Sequence, residues 1–314
     1  MSELPILLFI AVPLILLLYV GAKIAVRNEK NPYYWVRYEL PVEVWEKIKS
    51  LLNRSMENAQ SKNVLPQFPK EILKHTCQIF EIKNGDIKNR GTGVLVQSGE
   101  NYFLVSAAHV LEKNILSNLR VPNGKKMISL YGHLISNVAP ESGKRDYDPI
   151  DMAILKLERD IVDDISFAHS FLPTSRIWPG IYHNSNETLT ISGFPSDFTQ
   201  RGVLDNGLEV FRAKQVAFKT NGSLKETILI GGDVTKTVKI SYDLNSFTIN
   251  SLTGEPIQLP DAGAFSGSGI WSIDPKNPDS YYLVAIATSY MQEPVNVIAG
   301  TQTYIFKEAI KKLF

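Results

Sequence analysis

Short runs of apolar or alternating residues follow one another through most of this chain, beginning near residue 72. Gly, Asn, Asp and Pro separate them, which is typical of β-strands joined by turns. The runs are CQIFEI, GTGVLVQ, NYFLVSAA, MISLYGHLI, DMAILKL, LTISGF, VKISYDL, GIWSI and YYLVAIATSY. Helical periodicity returns only in the last segment, TYIFKEAIKKLF. We therefore expect a mostly β body, built as an antiparallel barrel, a sandwich or two small barrels.

The composition narrows the class of protein. The chain has 314 residues, of which 44% are hydrophobic and 21% charged, as in an ordinary globular protein with one large or two small domains. A net charge of +1 gives no reason to expect a nucleic-acid partner. The single cysteine, Cys77, allows no intrachain disulfide, and the five histidines never occur in HExxH spacing. We therefore expect no metal site.

Residues 4–22, LPILLFIAVPLILLLYVGA, form an uncharged run. As a helix this run is about long enough to cross a hydrocarbon core of roughly 30 Å. A secretory signal peptide is the alternative, with Val20 and Ala22 suited to a cleavage site. The first residues, however, lack the basic segment of a signal peptide, and the apolar run is long for one. The sequence therefore favours a transmembrane anchor over residues 1–26.

Basic residues flank only the C-terminal side of this run. Lys23, Arg27, Lys30 and Arg37 follow it, and no Lys or Arg precedes it. By the positive-inside rule, the body of the protein then lies in the cytoplasm. A periplasmic or extracellular body is the alternative.

A juxtamembrane segment follows over residues 27–71. Between Pro41 and about Gln60 its apolar residues recur every three or four positions, which predicts a helix with one apolar face. Residues 60–70, QSKNVLPQFPK, have the composition of a linker.

Three polar residues of the β body stand out because of their setting. His109 follows the apolar run FLVSAA, Asp151 precedes the strand MAILKL, and Ser266 lies in the glycine-rich segment DAGAFSGSGIWSI. Histidine is a usual general base, an acid can orient it, and an attacking serine needs a tight turn and a neighbouring base. Each signal alone also fits an ordinary turn or half-buried residue. Together, in the order His, Asp, Ser, they indicate nucleophilic catalysis.

These motifs resemble the trypsin-like serine proteases, which have the chymotrypsin double β-barrel fold. The resemblance covers about residues 72–314 and rests on GTGVLVQ, VSAAHV, DMAILKL, SGFP, FSGSGIW and LVAIATS. It is nearest to the disulfide-free bacterial peptidases of this group. It implies two antiparallel six-stranded β-barrels, the first over about 72–160 and the second over about 180–300, with a C-terminal helix over 303–314.

Carried over residue by residue, the resemblance assigns a catalytic triad. His109 matches the general base, Asp151 the acid that orients it, and Ser266 the nucleophile, with Ser268 as the rival. The backbone N–H groups of Ala264 and Ser266 match the oxyanion hole.

The resemblance also implies a substrate-binding strand over Tyr282–Tyr290. Within it, Ala287, Thr288 and Ser289 would edge the specificity pocket. Asp261 precedes the serine turn, and it either lines that pocket and selects a basic residue or is an ordinary turn aspartate.

The chain departs from the family at Ala264, where the family nearly always has glycine. A Cβ disfavours the positive φ that points this N–H into the oxyanion hole. One hypothesis is a collapsed oxyanion hole that substrate or a partner reshapes. The alternative is that Ala264 adopts the required backbone without strain.

The implied function is that of a membrane-tethered serine endopeptidase acting on protein or peptide substrates through an acyl-enzyme, with no cofactor. One alternative is a non-catalytic module of the same fold that binds peptides or acts as a sensor at the membrane. Another is a membrane-anchored β-sandwich receptor in which the His, Asp, Ser order is a coincidence. The sequence identifies neither the physiological substrate nor the oligomeric state.

Overall fold

The computed structural model describes residues 69–84, 86–114, 119–139, 145, 148, 150–183, 188–195, 199–203, 209–213, 215–221, 236–242, 247–249, 256–259, 261, 265–291 and 297–313. All of them fall within the unit Pro66–Phe314. The expected membrane anchor and juxtamembrane helix lie outside the described residues. Within those residues, no helix is long and apolar enough to cross a membrane.

An eight-stranded sheet occupies the first half of the described chain. Its strands are β1 (Thr76–Lys83), β2 (Asp86–Ser98), β3 (Asn101–Ala107), β4 (Leu119–Pro122), β5 (Met127–Ser129), β6 (Gly132–Ser136), β7 (Met152–Leu157) and β8 (Leu172–Pro173). Their order is β5-β4-β1-β2-β3-β7-β6, with β8 beside β2. Neighbours run antiparallel, except that β8 is parallel to β2. The helices in this half are α1 (Lys70–Lys74), α2 (Ala108–Leu111) and α3 (Arg159–Ser166).

A six-stranded antiparallel sheet occupies the second half, in the order β12-β9-β16-β17-β18-β13. The strands here are β9 (Thr188–Gly193), β10 (Thr199–Val203), β11 (Glu209–Ala213), β12 (Val216–Asn221), β13 (Thr237–Ser241), β14 (Phe247–Ile249), β15 (Pro256–Gln258), β16 (Gly269–Asp274), β17 (Asn277–Met291) and β18 (Val297–Gln302). Two small sheets pair β10 with β11 and β14 with β15. Helix α4 (Thr303–Leu313) follows β18.

The first sheet curls until its two edges approach each other. β5 and β6 lie at opposite ends of the strand order, yet only Leu130 and Tyr131 separate them in the chain. Three peptide units span at most about 11 Å, so the two edges cannot lie farther apart at that point. The predicted run MISLYGHLI is therefore two strands rather than one. The predicted fold class, mostly β with two curled antiparallel sheets and a C-terminal helix, is confirmed.

The first sheet is buried on both faces. Along β2, Leu95 packs into a cluster with residues of β4, β5 and α3, whereas Val94 and Val96 point to the opposite face. This alternation follows from the two-residue period of a strand. The opposite face packs against side chains from the second sheet and α4, namely Trp271, Leu283, Ile286, Phe306 and Ile310. One apolar layer therefore joins both sheets and the last helix.

Several short elements differ from the expectation. Ala108 was expected to continue a strand, but β3 ends at Ala107, and His109 lies in the one-turn helix α2. Helix α3 was not predicted, although its Ile161, Val162 and Ile165 are buried at helical spacing. Eight residues are too few for that period to stand out among strands of similar length.

Two histidines, His75 buried and His169 half-buried, bridge separate segments of the chain. The Nδ1 atom of His75 lies 2.9 Å from the Ser170 carbonyl oxygen, and its Nε2 atom lies 3.2 Å from the Tyr281 hydroxyl. The Nε2 atom of His169 lies 3.0 Å from the Pro122 carbonyl oxygen. Burial lowers the pKa of both histidines, although their hydrogen bonds to backbone carbonyls oppose the shift.

Because the pKa of both histidines is lowered in the folded protein, we expect the free energy of unfolding to fall in mild acid. Because their folded pKa lies below the unfolded value, the unfolded chain binds more protons as the pH falls. Their contribution is fully present above the unfolded value of about 6.5 and is lost as the pH falls through the folded pKa. We expect the urea midpoint to fall between about pH 7 and pH 5, and to fall less in the double variant His75→Gln/His169→Gln. The exposed His183→Gln serves as control; an equal fall in all three proteins would contradict this explanation.

Candidate active site

The pairing of β3 with β7 brings His109 and Asp151 together. Ala107, the last residue of β3, lies opposite Met152, the first residue of β7. The chain leaves β3 into α2 at the same end at which it enters β7 from Asp151. The N–H of Ala108 donates a hydrogen bond of 3.0 Å to the Asp151 carbonyl, which continues the ladder by one step. His109 therefore faces Asp151 although the two are 42 positions apart.

Both carboxylate oxygens of Asp151 accept hydrogen bonds from His109. The distance from His109 Nδ1 to Asp151 Oδ2 is 2.5 Å, and the His109 backbone N–H donates to Oδ1 at 3.1 Å. The Asp151 side chain is 1% exposed, whereas the His109 side chain is 36% exposed. With Nδ1 directed at the carboxylate, Nε2 is the ring nitrogen left to exchange a proton with a ligand.

Asp151 has a strained backbone. Its φ is +22°, a value that a residue with a Cβ rarely adopts. Such strain persists only where surrounding contacts hold it, and it occurs most often at functional sites. The residue with the unusual backbone conformation is therefore the same one that binds the His109 ring.

Ser266 lies in a tight turn held by both sheets. The Ser268 N–H donates to the Phe265 carbonyl at 2.9 Å, which closes a β-turn, and Gly267 in the third position has φ +82°. On the side of the second sheet, the Gly267 N–H donates to the Ala287 carbonyl at 2.7 Å. On the side of the first sheet, the Thr92 N–H donates to the Ser266 carbonyl at 2.9 Å.

Three glycines allow the backbones to meet at this turn. A Cβ on Gly267 would lie 1.8 Å from the Thr92 carbonyl oxygen and 2.1 Å from Ser106 Oγ. A Cβ on Gly91 would lie 2.7 Å from the Ser266 carbonyl oxygen and 3.1 Å from a Val110 methyl group. Because Val110 follows His109 in α2, the serine turn and the helix of His109 both lie next to Gly91.

The third of these glycines belongs to the SGFP motif. A Cβ on Gly193 would lie 1.9 Å from Ser268 Oγ. Gly91 of the GTG motif and Gly193 of the SGFP motif thus both lie close against the serine turn.

The surroundings of the two serines distinguish them. Ser266 is partly exposed, whereas Ser268 is fully buried. In the part of the chain that the structure describes, Ser268 Oγ has no hydrogen-bond partner. A nucleophile must reach its substrate, so this geometry favours Ser266 over Ser268.

The remaining predicted site residues fall into three groups: those on β17, Asp261 on an exposed segment, and Ala264, which is not among the described residues. Ala287 is buried, and its N–H also donates to the Ser268 carbonyl at 2.8 Å. Thr288 is buried with its hydroxyl 3.3 Å from the Ala299 carbonyl oxygen, and Ser289 is partly exposed. Asp261 is exposed. Ala264 lies outside the described residues.

The expected substrate strand over Tyr282–Tyr290 needs correction. From Tyr282 to Ile286, one edge of β17 pairs with β16, and at Ala285 and Ile286 the other edge pairs with β18. At Ala287 the serine turn takes the place of β16. Among the described strands, only β18 pairs with β17 from Ser289 to Met291. Within the described residues, the edge of β17 that could accept a peptide on the side of β16 therefore starts at Thr288.

A charged cluster next to the His109–Asp151 pair was not predicted. It consists of Glu112, Arg145 and Asp148, which form two ion pairs. Glu112 follows α2 directly and Asp148 precedes Asp151 by three positions. Nothing in the sequence pattern pairs residues from these two segments, because the contact depends on the turn between β6 and β7.

The comparisons with known proteins do not identify a family for this chain. No family of known proteins matches this sequence, and no curated protein matches it. Among solved structures, the chain is similar to the scabies mite inactivated protease paralogue S-I1, with a TM-score of 0.47 and 13% sequence identity. That match covers 78% of this chain and 98% of the other. A similarity of this degree transfers no activity to this chain.

Replacing the glycine of the serine turn is expected to destabilise the protein more than replacing an unconfined glycine. Gly267 and Gly124 have nearly equal φ angles, +82° and +83°, but the space around Gly124 is open. Gly124→Ala should cost about 1 kcal/mol in free energy of unfolding, from the backbone alone. Gly267→Ala should cost about 1–3 kcal/mol more, because its Cβ meets the Thr92 carbonyl. Equal losses in urea denaturation would show that the turn is not held as tightly as described.

Proposed function

We propose that this chain is a serine endopeptidase in which Ser266 is the nucleophile, His109 the general base and Asp151 the residue that orients the base. The observation that carries the proposal is the 2.5 Å contact between His109 Nδ1 and the buried Asp151 carboxylate, beside the turn of the partly exposed Ser266. A buried carboxylate on one ring nitrogen, with the serine turn and the histidine helix both next to Gly91, supports a Ser-His-Asp arrangement for acyl transfer.

The first half of the reaction forms an acyl-enzyme. The Ser266 oxygen attacks the carbonyl carbon of the scissile peptide bond while His109 Nε2 takes the hydroxyl proton. Asp151 stabilises the imidazolium that results. The tetrahedral intermediate then expels the amine, which receives the proton from His109, and the acyl group remains on Ser266.

The second half releases the acid. His109 takes a proton from water, and the hydroxide oxygen attacks the acyl carbon. The ester bond to Ser266 then breaks and the serine regains its proton from His109. Negative charge on the carbonyl oxygen develops in both halves, and we propose the backbone N–H groups of Ala264 and Ser266 as its donors.

The end of β17 supports a peptide as the substrate. At Thr288 and Ser289, none of the described strands pairs with the edge away from β18, and this stretch begins where the serine turn contacts Ala287. An extended peptide can hydrogen-bond to such an edge, which holds its carbonyl near the nucleophile. Side chains next to the scissile bond would then meet Thr288 and Ser289, and Asp261 is retained as a proposed selector of basic residues.

A second candidate is a non-catalytic module of the same fold that binds a peptide. Alanine at position 264, where the related proteases nearly always have glycine, favours it, because an unaligned N–H would weaken the oxyanion hole. Both candidates predict peptide binding at β17, and only the first predicts covalent chemistry at Ser266.

We also propose that residues 1–26 tether the protein to a membrane with the β body in the cytoplasm, on the basis of the apolar run 4–22 and the basic residues that follow it. Protease added to intact cells should then leave the β body intact, while the same protease added to permeabilised cells should degrade it. Degradation in intact cells would place the body outside the cytoplasm.

The nucleophile can be identified by covalent labelling. A fluorophosphonate should phosphonylate Ser266 with loss of fluoride, and peptide mapping by mass spectrometry should locate the adduct. Ser266→Ala should abolish labelling, whereas Ser268→Ala should retain it because Ser268 is buried. Labelling that persists in Ser266→Ala and disappears in Ser268→Ala would show that Ser268, not Ser266, is the nucleophile. A wild-type protein that resists labelling would favour the non-catalytic module.

A further inference from the structure

A largely buried arginine connects the segment that carries His109 to the segment that carries Asp151. The Arg145 side chain is 9% exposed, and it contacts the carboxylates of Glu112 and Asp148, which are 34% and 4% exposed. Its Nη2 also donates a hydrogen bond of 2.9 Å to the Asn137 carbonyl at the end of β6. Three segments of the chain therefore meet at one guanidinium group.

The contact to Glu112 holds the helix of the histidine. Arg145 Nε donates to Glu112 Oε2 at 3.2 Å, and Nη2 contacts Oε1, so the two planar groups pair through two bonds. The Glu112 backbone N–H in turn donates to the Ala108 carbonyl at 2.8 Å, which closes the turn of α2 around His109. A shift of Glu112 would therefore displace the turn that carries the imidazole.

The contact to Asp148 holds the segment of the acid. Asp148 Oδ1 accepts the Ile150 N–H at 2.9 Å, and Oδ2 accepts the Asn137 side-chain amide at 2.7 Å. Burial alone would raise the pKa of Asp148, but these hydrogen bonds and Arg145 hold it below its ordinary value. Asp148 therefore remains ionised and binds the backbone of Ile150, the residue before the strained Asp151.

A contact from the second sheet completes the support of this segment. The Thr301 hydroxyl on β18 donates a hydrogen bond to the Ile150 carbonyl. Ile150, the residue before Asp151, is thus held at its carbonyl by the second sheet and at its N–H by Asp148. This arrangement explains how Asp151 keeps a φ of +22°.

We infer that Arg145 is a positioning residue for the reaction: by binding Glu112 and Asp148 together, it fixes the distance between His109 and Asp151. Only the expected effect on turnover rests on the proposed function, because the position of the His109 imidazole can be observed directly. If Arg145 had a purely structural role, every variant that folds would retain both the His109–Asp151 contact and the wild-type turnover.

The test compares variants of the full-length chain labelled with ¹⁵N-histidine. A proton held between His109 Nδ1 and the Asp151 carboxylate resonates at unusually low field, and His109→Gln identifies its signal. We expect Arg145→Gln and Glu112→Gln to lose or broaden this signal and Arg145→Lys to retain part of it. Lys126→Ala, which breaks the exposed ion pair with Asp164, is the matched control and should leave the signal unchanged.

Turnover is measured on the same proteins with a nitrophenyl ester. We expect kcat of Arg145→Gln to fall about ten- to a hundredfold with little change in KM, because misplaced catalytic groups slow the chemical step rather than binding. Arg145→Lys should recover part of the loss. If Arg145→Gln does not fold, the double variant Arg145→Gln/Asp148→Asn replaces it, because this variant leaves no unpaired buried carboxylate at position 148. The double variant and Glu112→Gln then test the positioning role together.

The outcomes separate the two proposals. The positioning role would be overturned if folded Arg145→Gln kept the low-field signal and the kcat of the wild type. If Arg145→Gln does not fold, the same result in both the folded double variant and Glu112→Gln would overturn it. A wild-type protein that shows the signal, loses it in these variants and hydrolyses no ester would support the positioning role and contradict the proposed peptidase.

Discussion

Thr92 joins the two halves of this structure through its N–H and its hydroxyl, and its carbonyl binds the neighbouring strand β3. Its N–H donates to the Ser266 carbonyl at 2.9 Å, its carbonyl accepts from Ser106 Oγ at 2.6 Å, and its Oγ1 accepts from the Phe194 N–H at 2.9 Å. It is fully buried, so each of these groups would be costly to leave unpaired. Strand β2 therefore fixes the serine turn, the strand before His109 and the end of β9 with one residue.

The candidate site is assembled from this junction. His109 and Asp151 come from neighbouring strands of the first sheet, and their contact follows from the β3–β7 register. Ser266 comes from a turn between the sheets, which the Thr92 N–H and the Ala287 backbone hold from opposite sides. The apolar layer shared by the two sheets and α4 gives these short hydrogen bonds a rigid support.

The sequence predicted the parts of the site that depend on local patterns. Glycines at 91, 193 and 267 stand where a Cβ would overlap the serine turn or an atom next to it, and each is visible in a short motif. The sequence could not predict that His109 lies in a helix, because one turn leaves no periodic signal. It also could not predict Arg145, since the pairing of Arg145 with Glu112 depends on how the chain turns between β6 and β7. The burial of Ser268, which separates it from Ser266, likewise becomes visible only once β9 is packed against the turn.

The central claim is that His109, oriented by Asp151, activates Ser266 to carry an acyl group. Trapping that intermediate tests it most directly: the protein is mixed with a nitrophenyl ester, quenched in acid, and its intact mass and peptide map are measured. The proposed mechanism predicts one acyl adduct per chain, located on Ser266 and strongly reduced in His109→Ala. An adduct on another residue, or equal acylation of the wild type and His109→Ala, would contradict it.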